Sequence, residues 1–164
     1  MPEISLFGWF HTIVAIVALL AGFYSLVKYK YILLDNNAGR IYVLCTLIAA
    51  ASALAIYRHG GFGAAHGLAV LTLLALAAGT LAGKTGLFGK LSPYLQALSY
   101  SATLLFHMIP AITDGLMRLP TDAPIVTNIE DPLLKGFYLF FLVCYLVIVV
   151  WQFLSIRKEN KVNA

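Results

Sequence analysis

Charge is scarce in this sequence: 11 Lys or Arg and 7 Asp or Glu stand among 164 residues, 11% of the chain against 61% hydrophobic. The shortage excludes an ordinary soluble surface, because so apolar a chain carries more hydrophobic area than one soluble core can bury. The few basic residues are scattered between apolar runs, which excludes the dense basic patch a nucleic-acid partner requires. Cysteine is equally rare. Cys45 and Cys144 fall inside apolar runs at different depths, so no disulfide framework is expected. No basic residue precedes the first apolar run, since MPEISLFGWF carries Glu3 instead. That is unlike the start of a cleavable signal peptide, and the run is expected to remain as a membrane span. Catalytic motifs are missing too. Ser92, Ser99 and Ser101 lack a histidine or acid at a spacing that suits nucleophilic catalysis, and RHGGFGAAHG lacks the Lys and following Ser or Thr of a phosphate loop. No motif in the sequence assigns a catalytic activity.

What the sequence does have is apolar runs of membrane-spanning length, at about residues 6–27, 40–57, 62–83, 93–116 and 133–155. They predict an all-α polytopic bundle of five spans, a single integral membrane domain over residues 1–164. Pro93 suits the first turn of the fourth span, whereas Pro110 is expected to kink it. Five spans put the termini on opposite sides. Lys28, Lys30, Arg40, Lys84, Lys90, Arg157, Lys158 and Lys161 then share one side, and only Arg58, Arg118 and Lys135 the other. The basic-rich side is expected to be cytoplasmic, with the amino terminus and the loop at about 117–132 facing outward. In a bacterium this means the inner membrane, with the periplasm outside. Lys28 and Lys30 then lie where anionic inner-leaflet lipids or simple snorkelling would place them.

Two helix faces are narrow. His11, Ala15, Ala18, Gly22 and Ser25 align on the first span, and Gly63 with Gly67 and Gly79 with Gly83 have small-xxx-small spacing on the third. Such seams predict close packing within the bundle, in a homo-oligomer or in a larger membrane complex. The fourth span is different. Gln96, Tyr100, Thr103, His107 and Asp114 cluster on one face, and a polar stripe this long must meet other helices or a hydrated cavity rather than lipid. Tyr138, Tyr145 and Gln152 make a weaker counterpart on the fifth span, either as hydroxyl and amide partners or as aromatic filling and interfacial anchors.

Counted inward from the outer ends of their spans, His11 lies about 7 Å deep, His66 about 6 Å and His107 about 10 Å. His59 falls in the short outer loop, facing solvent. Three imidazoles at one level predict a site for a transition-metal ion, zinc, copper or iron, on His11, His66 and His107, with Asp114 as a fourth or outer partner. The same level would suit haem b, with two histidines as axial ligands and Arg58 or Arg118 on the propionates. Electron transfer or metal handling would follow. A different reading takes the Gln96-to-Asp114 stripe as a path for protons or a small solute. In a third, the histidines bond across helix interfaces and the chain is a structural or assembly subunit.

The segment from HTIVAIVALLAGFYSLVK through GRIYVLCTLIAAASALAIYRHGGFGAAHGLAVLTLLALAAG resembles an uncharacterised family of bacterial multi-span predicted membrane proteins. The likeness rests on His11, Gly22, Gly39, Arg40, Tyr42 and His66 and covers about residues 11–79. It implies a membrane-embedded helical architecture without implying an activity.

Overall fold

The computed structural model describes residues 4–57 and 61–162, and among them the regular structure is entirely helical. Five α-helices follow in order: α1 Leu6–Tyr29, α2 Asn37–Ala53, α3 Ala64–Thr85, α4 Ser92–Arg118 and α5 Pro132–Val162, with a short 3-10 turn at Gly89–Leu91 before α4. Local chemistry sets the ends. Ser5 caps α1 by accepting from the Gly8 amide, and Asn36 caps α2 by accepting from the Gly39 amide at 2.9 Å. Pro93 sits in the first turn of α4, as its fixed φ allows.

The expected second span, 40–57, is displaced. The Asn36 cap starts α2 at Asn37, and past Ala53 the amides of Ala55 and Ile56 bond back only three residues, to Ser52 and Ala53. Those tight bonds close the last turn and end the α-helix. At the other extreme α5 continues past 155 to Val162, where RKENKV extends the helix with polar and basic residues. Helix α4 stays continuous through Pro110. The proline lacks the amide that would bond the Phe106 carbonyl, one bond lost in a helix held on both sides by neighbours.

Four helices, α1, α3, α4 together with its preceding turn, and α5, are long and apolar enough to cross a membrane. The outward faces are aliphatic and aromatic: Leu20, Val27, Leu74, Leu139, Val147 and Leu154 are exposed. In water such a surface would drive association, whereas in a bilayer it is the solvated face. The helices pack α1 on α2, α2 on α3, α3 on α4 and α4 on α5, consecutive neighbours running antiparallel. The core holds Ala18, Leu26, Ile32, Tyr42, Leu76, Tyr100 and Leu104.

Small residues decide how closely the helices approach. A Cβ on Gly22 would stand 2.7 Å from the Tyr42 ring and 2.8 Å from Leu104, and one on Gly79 would stand 2.8 Å from the Tyr100 ring. Gly83 faces the Gln96 amide in the same way. The seams on α1 and on the end of α3 are thus filled by large polar side chains of α2 and α4. Gly63 and Gly67 have no atom of the described residues within 4 Å of such a position.

Candidate functional site

The polar stripe of α4 faces inward, and each member meets a partner on another helix or on its own next turn. Tyr100 is 1% exposed and its hydroxyl bonds Thr80 Oγ1 of α3 at 2.9 Å. One turn on, Thr103 is fully buried and shares a 2.5 Å hydrogen bond with the Tyr42 hydroxyl of α2. Tyr42 also donates toward the Tyr100 carbonyl, and Thr46, the next turn of α2, interacts with it as well. One turn further, His107 Nε2 lies 3.2 Å from Thr46 Oγ1. Toward the carboxyl-terminal end of α4, Asp114 pairs with Arg118 across one helical turn at 3.6 Å. Gln96, at the opposite end, packs against Gly83.

His11 of α1 arrives at the same face of α2. Its Nδ1 lies 3.0 Å from the Ala49 carbonyl and 3.0 Å from Ser52 Oγ, while Ser52 itself donates to the Ala49 carbonyl. A carbonyl can only accept, so Nδ1 carries the proton in this contact and Nε2 is the basic nitrogen. Tyr42, Thr46, Ala49 and Ser52 fall at spacings of four, three and three, one stripe of α2 facing both α1 and α4. The two imidazoles are anchored on adjacent turns of that stripe, His107 on Thr46 and His11 on Ala49 and Ser52. Histidines from α1 and α4 are therefore brought together.

His66 is held elsewhere. Its Nδ1 accepts from the Gly63 amide at 3.2 Å, closing a capping box at the start of α3, and its ring lies between Tyr57 and Phe62 with centroids 4.7 and 5.2 Å away. The ring is 5% exposed and Nε2 has no hydrogen-bond partner among the described residues. No three or more His, Cys, Asp or Glu side chains among the described residues form a group that could hold a metal ion. The three expected ligands thus do not assemble as one set here: α3 uses its histidine as a helix cap, which depth counting alone does not reveal. Of the expected propionate partners, Arg118 is engaged with Asp114, and Arg58, like His59, lies outside the described residues.

Helix α5 supplies partners to the other side of α4. The Tyr138 hydroxyl bonds Thr113 Oγ1 at 2.6 Å, and Tyr145 reaches the Leu98 carbonyl at 3.4 Å. Gln152 is fully buried, accepts from Ser101 at 2.9 Å and donates to the Lys30 carbonyl at 2.9 Å. These residues act as hydroxyl and amide partners, the role their spacing allowed. Thr46, Ser52 and Thr80 are site residues that the reading of separate helix faces missed. Each is a lone small hydroxyl in an aliphatic run, and only the packing of α2 and α3 on α4 gives it meaning. In the first turn of α5, Lys135 lies 2.6 Å from Glu130 of the preceding loop and holds that carboxyl below the usual carboxylate range. Cys45 and Cys144 are free and partly buried.

Comparison of the chain with family models, with curated proteins and with solved structures found no match.

Proposed function

We propose that the chain is a five-span integral membrane protein that moves protons along the buried face of α4, with His11 and His107 as the titrating pair. The observation that carries this reading is their meeting on one stripe of α2 inside an apolar bundle. Ionisable side chains at membrane depth are unfavourable and face the bundle interior where they serve as relays. Imidazole both takes up and releases a proton near neutral pH, so two of them on adjacent turns of one buried stripe suit transfer from one to the next. Toward the basic end the face carries the hydroxyls of Thr46, Tyr42 and Thr103, and beyond the Tyr100 carbonyl that accepts from Thr103 it carries those of Tyr100 and Thr80. From Gln96 to Asp114 it rises about 27 Å, close to the roughly 30 Å hydrocarbon core. The exposed Asp114 carboxylate forms the outer entrance.

The course of α2 supports five spans rather than four. It has 17 residues, about 25 Å of helix, and runs beside α1 from Ser52 near His11 to Tyr42 near Gly22. Wherever α1 crosses, α2 crosses with it. The eight basic residues from Lys28 to Lys161 then gather at one end, which the positive-inside tendency makes cytoplasmic. A bacterial inner membrane is the location that the likeness over residues 11–79 implies. No group of three or more His, Cys, Asp or Glu side chains among the described residues favours the metal-ion reading.

The test is proton uptake by proteoliposomes under an imposed potential. The wild-type protein is expected to acidify the lumen faster than empty vesicles, and His107→Ala to remove most of the difference. Flux equal to that of empty vesicles would overturn the proposal, and a stoichiometric metal or a Soret band in the purified protein would replace it with the cofactor reading.

A further inference from the structure

Helices α1 and α5 barely touch, and the seam between them is lined in two parts that share a single face of α5. The upper part is an apolar groove of about 210 Å³ walled by Phe23, Leu26, Leu104, Phe141, Tyr145 and Ile148, among others. The lower part, of about 390 Å³, is walled by Lys30, Ser155, Lys158, Glu159 and Val162 at the basic end of the bundle. On α5, residues 141, 145, 148, 152, 155, 158 and 162 advance by four, three, four, three, three and four, one continuous helical stripe. On α1, Phe23, Leu26 and Lys30 do the same. The two cavities thus lie along one face of α5, separated at Gln152, where the amide holds the Lys30 carbonyl and the Ser101 hydroxyl.

We propose that this seam binds one anionic glycerophospholipid of the inner leaflet, with its phosphate on Lys30 and Lys158 and an acyl chain in the groove above Gln152. The inference rests on the membrane reading of the fold, and it is independent of proton transfer. Position selects the ligand class. The groove opens at the depth of the hydrocarbon, where only chains are present, and the cationic cavity lies about one turn below it along α1 and about two to three turns below it along α5, at headgroup level. Charge selects the headgroup. Two lysines face one acid, Glu159, which is engaged by the Tyr31 hydroxyl at 3.4 Å, so the cavity carries an excess of one positive charge. Lys30 is also the one non-glycine residue with positive φ among the described residues, at 66°. Lysine keeps a left-handed backbone there, at the C-cap of α1, where glycine would fit with less strain. Ser155 adds a hydroxyl donor at the same level.

The experiment is native mass spectrometry of the full chain released from mixed bilayers of phosphatidylglycerol and phosphatidylcholine with identical chains. One phosphatidylglycerol is expected to stay bound under activation that strips phosphatidylcholine. The double variant Lys30→Gln, Lys158→Gln should lower that retention roughly tenfold or more, as two lysines near an anionic headgroup imply. Ile148→Trp, which fills the groove without touching charge, should lower it as well, whereas Leu139→Trp on the opposite, lipid-facing side should not. Equal retention of the two lipids by wild-type protein overturns the proposal in favour of ordinary annular lipid, and this arm needs no variant to fold. Loss on the lysine variant with none on Ile148→Trp, together with displacement by inorganic phosphate, overturns it in favour of a simple phosphate site.

Discussion

Tyr42 and Tyr100 are the largest side chains that are fully enclosed, and each is enclosed against a glycine of a neighbouring helix. Burying a phenol requires a partner for its hydroxyl, and Thr103 and Thr80 supply it. Two outcomes follow. Tyr42→Phe should lower stability by about 1–2 kcal/mol, because the Thr103 hydroxyl loses its shortest partner in a dry interior. Gly22→Val should cost more than Gly22→Ala, about 1–3 kcal/mol or above, since any branch must displace the Tyr42 ring. Thermal unfolding in detergent checks both, and unchanged melting of Gly22→Val would refute the close α1–α2 contact. The inward direction of Gln96, Tyr100, Thr103 and His107 was legible as a four-three-four spacing on one span. The identity of their partners was not, because Thr46, Thr80 and Ser52 carry no periodic signal of their own. The place of His66 at the entry to the third span was legible, while its use as the α3 cap depends on Gly63, Tyr57 and Phe62, which a depth count treats as loop.

At the scale of elements, five helices were readable from apolar runs, and their ends were not. Residues 54–57 are as apolar as the helix before them, and only the three-residue bonds to Ser52 and Ala53 stop α2. Asn36 marks its start by a side-chain cap, so Asn36→Ala is expected to lose roughly 1 kcal/mol, read as a lower melting temperature. Gln152 joins three elements through Ser101 and the end of α1. Gln152→Leu leaves the buried Ser101 hydroxyl without its acceptor and releases the Lys30 carbonyl, and should destabilise by about 1–3 kcal/mol. Labelling of a reporter cysteine near Tyr29 should then become faster, as the α1 end loosens. A variant as stable as wild type would show that α5 is held by aliphatic packing alone.

The whole molecule is a set of antiparallel neighbours whose polar surfaces are turned toward α4 and whose apolar surfaces are turned outward. That division is the signature of a helical bundle solvated by lipid, and it makes orientation testable. In intact cells, a cysteine at Asp122 should react with an impermeant reagent while one at Lys158 should not. The reverse pattern, or the same side for both, would contradict a five-span chain with its basic end in the cytoplasm. The central claim is that protons cross along the α4 face through the His11 and His107 pair. Its most direct test is potential-driven proton flux measured in parallel for wild-type protein, His11→Ala, His107→Ala and His66→Ala, all reconstituted at equal density and shown to be folded. The account predicts flux in wild type and His66→Ala and near-background flux in the other two. Flux that survives both His11→Ala and His107→Ala, or that is lost only with His66→Ala, would contradict it.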